Sequence, residues 1–340
     1  MIVQASFASP FGFLAPMVLA PEPVSVAEPI APPPIPPAPV APVAPPMEPG
    51  LLASRAMLRG ASVSQWDGRK FDAEASDQVI RQHGAAANSG RFNKALIPQE
   101  ALAPIRAAAT KIRTVHKRWT RPWSDKGLDI LPSANVGQYD ADMTPARRDF
   151  EAAVEAFLFV YPGLVANAPA RLSGLYSADD YPSVDELRTR FGLRIRTLPL
   201  PTAADFRVEM SEAQSRMIRE EIEADLRETM ADAMRATWRD VAKVVGTMAE
   251  KLTAYRPSTG KGDRAEFAFH DSLVEHVRTL VGLLPSFNLV DDPELAAMGA
   301  RMERELCRHD ATALKADATL RQDTAKAAEA ILADVSAFLA

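Results

Sequence analysis

One cysteine, Cys307, stands in a chain of 340 residues. It excludes an intrachain disulfide, and a zinc site built from thiolates is not expected. Such usage suits a reducing compartment. Long apolar runs are also missing: nowhere do 18 apolar residues follow one another, so no membrane-spanning helix and no membrane partner are expected. The apolar N-terminus (FASPFGFLAPMVLAPEP) has no Lys or Arg ahead of it, which argues against a secretory signal. Aromatics are sparse at 7%. Ala, Leu, Glu and Arg dominate instead, and these favour helix over sheet. The formal charge of −5 and pI near 5.7 describe a mildly acidic protein, not one that coats nucleic acid in bulk.

Residues 1–50 lack any basic residue and hold 15 of the 28 prolines. That composition cannot build a hydrogen-bonded core and predicts a disordered, polyproline-like tail. Phe7, Phe11, Phe13 and Leu14 within it could seat in a partner's groove. Folded structure is expected from about Leu51–Ala61. The remainder divides into a helical region (51–192), a β-hairpin hub (193–210) and a long-helix bundle (211–340). The fold class is thus mainly α: an elongated bundle of long antiparallel helices with a small β-hairpin at its centre, behind a Pro-rich tail.

The hub is where the period changes. Ser183 followed by Glu186 forms a capping box, so a short helix starts after Pro182. Gly192 is placed to stop it. Leu193, Ile195 and Thr197 then alternate with Arg194 and Arg196, and Phe206, Val208 and Met210 alternate with Arg207 and Glu209. Two such runs across Pro199-Leu200-Pro201 predict an antiparallel hairpin.

Elsewhere the spacing is helical. Trp66-Asp67-Gly68-Arg69 reads as a turn into a helix from Asp72 to His83, broken by Gly84–Gly90. Leu102, Ile105, Ala109, Ile112, Val115 or His116, and Trp119 form an amphipathic stripe, with Pro104 bending or delaying its start. Thr144-Pro145 should open a core helix carrying Phe150, Val154, Phe157, Leu158 and Tyr161, kinked at Pro162-Gly163. Ile218 to Leu252 give one stripe spaced about 3.8 residues apart, wider than a heptad seam and better suited to an irregular bundle. After a turn at Arg256–Asp263, a helix is expected over Ala265–Leu284 with Phe267 inward. Asp292 should cap a last helix running to Phe338, longer than 40 residues.

The charge anomaly is Arg91–Lys126, with nine Lys and Arg against Glu100 and Asp125. Arg113, Lys117, Arg118 and Arg121 lie among Trp119 and Trp123, and such a mixture can grip phosphates and stack on bases. These six are the candidate partner- or nucleic-acid-binding residues. The preferred reading is blander: a basic helix face pairing with acidic helices downstream.

Catalytic and ligand signals are weak. Ser258-Thr259-Gly260-Lys261-Gly262 lacks the earlier Gly, the following hydroxyl and the strand of a phosphate loop. His270 and His276 are six apart and cannot share a helix face as metal ligands. Cys307 and His309 point to different sides of a helix. Asp179 and Asp180 fit a turn before Pro182. No catalytic residue, metal or cofactor is expected.

The ordered set Trp66-Asp67-Gly68-Arg69, Phe92-Asn93-Lys94, Trp123 with Asp125-Lys126-Gly127, Asp180-Tyr181-Pro182, Leu198-Pro199-Leu200-Pro201 and Asp205-Phe206-Arg207-Val208 resembles a family of tailed-phage proteins catalogued as domain of unknown function 3150. The resemblance covers about Ser62–Leu252. It implies no catalytic residues, since the family has no established activity. It implies a phage protein made in the host cytoplasm, with an AAA+ ATPase of the MoxR or cobaltochelatase-small-subunit type as a partner. The expected function is that of a non-enzymatic protein acting through protein partners. The alternatives are a nucleic-acid-binding accessory protein using 91–126, or a virion or scaffold component. Long helices also allow self-association.

Overall fold

The first folded segment is a strand that finds both of its partners far along the chain. The computed structural model describes residues 53–123, 127–201, 211–257 and 265–339, all within one unit, Val43–Ala340. β1 (Ala56–Ser64) pairs antiparallel on one edge with β5 (Asp129–Pro132) and on the other with β6 (Gly192–Pro199). β4 (Arg121–Pro122) completes a sheet of order β4-β5-β1-β6. A separate two-stranded ribbon joins β2 (Arg69–Asp72) to β3 (Phe92–Ala95).

The helices are α1 (Ala73–Gln82), α2 (Ala103–Trp119), α3 (Val136–Ala166), α4 (Ala168–Leu172), α5 (Val184–Thr189), α6 (Glu212–Ala254), α7 (Ser272–Phe287), α8 (Pro293–Leu306), α9 (Ala311–Ala316) and α10 (Ala318–Leu339). The fold is therefore mainly helical with a small antiparallel sheet.

Alternation along a strand sends neighbouring side chains to opposite faces, and here both faces are used. Met57, Val63, Leu131, Leu193 and Ile195 meet the core of α2 and α3, with Ile105, Ile112, Tyr139, Phe150 and Phe157. Ala56, Leu58 and Ile130 face the other way, onto Leu200, Leu226, Met230, Ala233 and Leu289. Gly60 shares that second face, and a Cβ there would lie 2.4 Å from the Gly127 carbonyl oxygen. A third core binds α6 to α7, α8, α9 and α10 through Val241, Val245, Met248, Val277, Leu295, Met302 and Ile331. The sheet is the joint between two helical bodies.

Several elements fall where the sequence places them. Asp72 caps α1, accepting from the Ala75 N–H, and His83 ends it. Ser183 Oγ accepts from the Glu186 N–H at 3.2 Å and opens α5. Pro104 lies in the first turn of α2, after a 3-10 turn over Gln99–Leu102. Arg194 and Arg196 are exposed while Leu193 and Ile195 are half-buried, as their alternation requires.

Other expectations are corrected. The region 51–192 is not only helical, because five strands lie in it. β6 pairs with β1, about which local spacing is silent; the second hairpin strand, Phe206–Met210, lies outside the described residues. So do the tail of 1–50 and most of the turn at Arg256–Asp263. Gly192 begins a strand and does not take the left-handed conformation. The Asp67-Gly68 turn, with Gly68 at φ 68°, leads into β2 before α1 begins.

α3 starts at Val136, so Pro145 and Pro162 lie inside it. The helix runs through Pro162-Gly163 and breaks at Asn167, where the chain bends by 62°. α7 starts only at Ser272, and Phe267, expected inward, sits at φ 52° and is 63% exposed. The last helix is three. Asp310 Oδ1 accepts from the Ala313 N–H at 2.7 Å, and Asp317 Oδ1 from Thr319 and Leu320, so each aspartate opens a new helix. Among the described residues only α6 exceeds 40 residues. No single helix among the described residues is long and apolar enough to cross a membrane.

Candidate partner-binding surface

α2 turns Ile105, Ala109 and Ile112 into the core and leaves its charged side outward, but the six candidate residues do not form one surface. Arg121 is the clearest departure. Its side chain is 5% exposed; Nε donates to Thr237 Oγ1 at 2.9 Å, Nη1 donates to the Thr120 carbonyl at 3.0 Å, and Nη2 lies 3.3 Å from Asp240. Its guanidinium also stacks on Phe287, 3.4 Å from the ring centre. Burial pulls its pKa down to about 10, with Asp240 opposing. Arg121 is an internal clamp between β4 and the bundle, out of reach of a partner.

Trp119 is half-buried and its indole N–H donates to Asp142 at 2.9 Å. Arg118 stays exposed, 3.9 Å from the same carboxylate. Trp123 packs against the Leu58–Leu226 core. Lys111 pairs with Asp149 at 2.6 Å. The acids that answer the basic segment thus come chiefly from α3, not from Glu220–Glu228. Arg113 and Lys117 remain exposed and have no hydrogen bond or ion pair.

Two polar networks have the residue types of an active site. On the ribbon, the register sets Lys70 opposite Lys94, and like charges so placed repel. Asp180 resolves the clash: its carboxylate takes Lys70 at 2.6 Å and Lys94 at 2.7 Å, and Asp72 takes Lys94 at 2.9 Å. Lys94 Nζ also donates to the Leu175 carbonyl at 2.8 Å. Burial pulls the ammonium down, but Asp180 and Asp72 outweigh it and raise its pKa. Burial likewise pushes the Asp180 carboxyl up, and the two lysines carry it below the ordinary range. Nearby, the Tyr181 hydroxyl donates to the Leu96 carbonyl at 2.8 Å, and that of Tyr161 to the Pro182 carbonyl at 3.0 Å. Trp66 stacks edge-on against Tyr161. The Leu96 N–H donates to the Gly68 carbonyl at 2.8 Å, so three stretches distant in sequence, around Trp66 and Gly68, Lys94 and Leu96, and Asp180 and Tyr181, tie one corner together.

The second network is Asp129–His116–Tyr139. His116 Nε2 is 2.9 Å from Asp129 Oδ2, and Nδ1 is 3.0 Å from the Tyr139 hydroxyl. Tyr139 is fully buried, and burial raises its pKa. A phenol sealed in this way cannot meet a substrate; the trio joins α2, β5 and α3. Among the described residues, no group of three or more His, Cys, Asp or Glu is placed to hold a metal ion.

No family model, curated protein or solved structure matches this chain.

The outer face of α3 is open to a partner. Phe157, Leu158 and Tyr161 point into the core, while Phe159 is 87% exposed and Val160 is 47% exposed. From Ala156 to Ala170 no residue carries a charge, and Ala152, Ala156, Pro162, Gly163 and Ala166 are exposed beside Phe159. Scattered exposed apolar residues are ordinary, but a continuous uncharged patch around an aromatic is not. The charge that bounds the patch is Glu155, one turn before Phe159, and it is paired with Arg188 of α5. The signal for Phe159 was available: it falls off the stripe of Val154, Phe157, Leu158 and Tyr161, which has no room for another apolar residue on the wetted side.

Proposed function

We propose that the protein is a non-enzymatic phage protein that acts by binding protein partners. The observation that carries this reading is the uncharged, exposed outer face of α3 around Phe159. Interface centres are depleted in charge and enriched in aromatics, and a rigid helix offers such a face at little entropic cost. The ionisable networks of Lys94 and His116 support a non-enzymatic role, because their polar groups are occupied in holding strands to helices. The resemblance to the phage family favours an AAA+ ATPase as the partner and the host cytoplasm as the place. A nucleic-acid role has less behind it: of the six candidate residues, Arg121 is buried, and Trp119 and Arg118 are engaged by Asp142.

The test is affinity capture of tagged parent and Phe159→Glu from infected cells, followed by binding measurements with the purified ATPase. The variant should keep the parent's circular dichroism and melting temperature and lose the ATPase. An unchanged set of captured proteins would refute the role of this face. Flotation of the parent with vesicles would give the face to a lipid surface, and nuclease-sensitive capture would favour the nucleic-acid reading.

A further inference from the structure

Two stripes on this chain have the same layout and opposite sign, and most of their charges have no oppositely charged partner within the chain. On α2, Arg106, Thr110, Arg113 and Lys117 are spaced four, three and four residues apart. That spacing puts them in one line along a helix. All four are exposed. Arg106 donates only to the neutral Gln99 side chain, and Arg113 and Lys117 make no polar contact.

On α6, Glu221, Asp225, Glu228 and Asp232 repeat the spacing of four, three and four. They are also exposed. Asp232 is paired with Arg235, but Glu221, Asp225 and Glu228 make no hydrogen bond or ion pair. The buried residues Leu226, Met230 and Ala233 lie on the other side of α6, so the acidic line looks away from the body. Met217, four residues before Glu221, is 69% exposed on that same outward side. Each stripe runs about 16 Å at about 1.5 Å per residue.

We propose that these stripes pair in trans: the acidic face of α6 on one copy docks on the basic face of α2 on a second copy. A second copy is the occupant because it carries the complementary line at the matching length, while Arg106, Arg113 and Lys117 on one line and Glu221, Asp225 and Glu228 on the other meet no opposite charge within one chain. Exposed ion pairs are individually weak, so the association is reversible and screened by salt. It rests on surfaces other than the outer face of α3, and its failure leaves that reading untouched.

The measurement is sedimentation velocity over a concentration series of the full chain, in low-salt and molar-salt buffer. The parent should associate in low salt, with a dissociation constant that rises by roughly tenfold or more in molar salt. Arg113→Glu with Lys117→Glu, and separately Glu221→Lys with Asp225→Lys, should each stay monomeric, with melting temperatures close to the parent's. Combining all four reversals restores complementarity, and association should return. A parent that is monomeric in low salt at every concentration overturns the proposal. So does association that survives either double reversal, or a fourfold variant that does not recover. Salt-sensitive binding of single-stranded DNA through Arg113 and Lys117 by a monomeric parent would assign the basic stripe to nucleic acid and overturn it as well.

Discussion

Replacing Arg121 with alanine is the sharpest test of how the two helical bodies are joined. The guanidinium holds Thr237 Oγ1 at 2.9 Å and the Thr120 carbonyl at 3.0 Å, and its plane rests on Phe287. Hydrogen bonds from a charged donor are worth about 1.5–3 kcal/mol each in mutational series, though such values do not add fully. Asp240 is half exposed and recovers water when the arginine is gone, so the 3.3 Å ion pair adds little. Thr237 keeps its own bond to the Ala233 carbonyl, whereas the Thr120 carbonyl loses the Arg121 Nη1 bond inside a buried residue. The expected cost of Arg121→Ala is about 3 kcal/mol, a large share of the typical total of about 5–15 kcal/mol. Arg121→Lys keeps the charge but not the planar fork and should lie between alanine and parent. Arg113→Ala, exposed and without partners, should change stability by no more than about 0.5 kcal/mol. Urea unfolding followed by near- and far-UV circular dichroism measures all three. Small, equal losses for Arg121→Ala and Arg113→Ala would refute the assignment of Arg121 as an internal clamp.

Gly60→Ala drives a Cβ to within 2.4 Å of the Gly127 carbonyl oxygen, so β1 or the Gly127 loop must move; a loss of about 1–3 kcal/mol is expected, read as a lower melting temperature. Asp310→Ala removes the cap of α9 and should cost about 1 kcal/mol in denaturant unfolding. Asp180 and Asp72 have carboxyl pKa values below the ordinary 3.8, so their stabilisation is complete above that value. It fades as pH falls through the lower folded values. The parent's urea midpoint should therefore drop in the acid range below pH 3.8, and Asp180→Asn should flatten that dependence while lowering the midpoint at neutral pH.

Local chemistry was legible in the sequence where one element sufficed to specify it. Asp72, Ser183 and Asp292 announce helices because a cap acts on backbone groups two or three residues away. The alternation of Leu193–Thr197 announces a strand for the same reason. Its partner was not legible: local spacing says nothing about which strand pairs with it, and only the fold brings Val63 opposite Leu193. Asp310 and Asp317 each sit in a continuous apolar rhythm, which hides the caps that break the last helix. Proline misled at Pro145, where the side chain fits inside a longer helix. The candidate surface was harder still. Arg121 and Arg113 look alike in a basic run, and burial against Phe287 alone separates a clamp from a free charge. Lys94 and Asp180 are 86 residues apart, and no spacing rule links them.

The pairing of β1 also fixes a timetable. Its partner on one edge, β5, ends at Pro132, whereas the strand for the other edge, β6, begins at Gly192. Synthesis proceeds at about 5–20 residues per second, so the second edge waits several seconds after the first can close. During that interval the nascent sheet has an unpaired rim along Met57–Ser64, the kind of rim that recruits a neighbouring chain. Long-range strand pairing of this sort is slow to form. A ribosome pausing between these two segments would lengthen the exposure, and domain-swapped or aggregated product should increase with the pause.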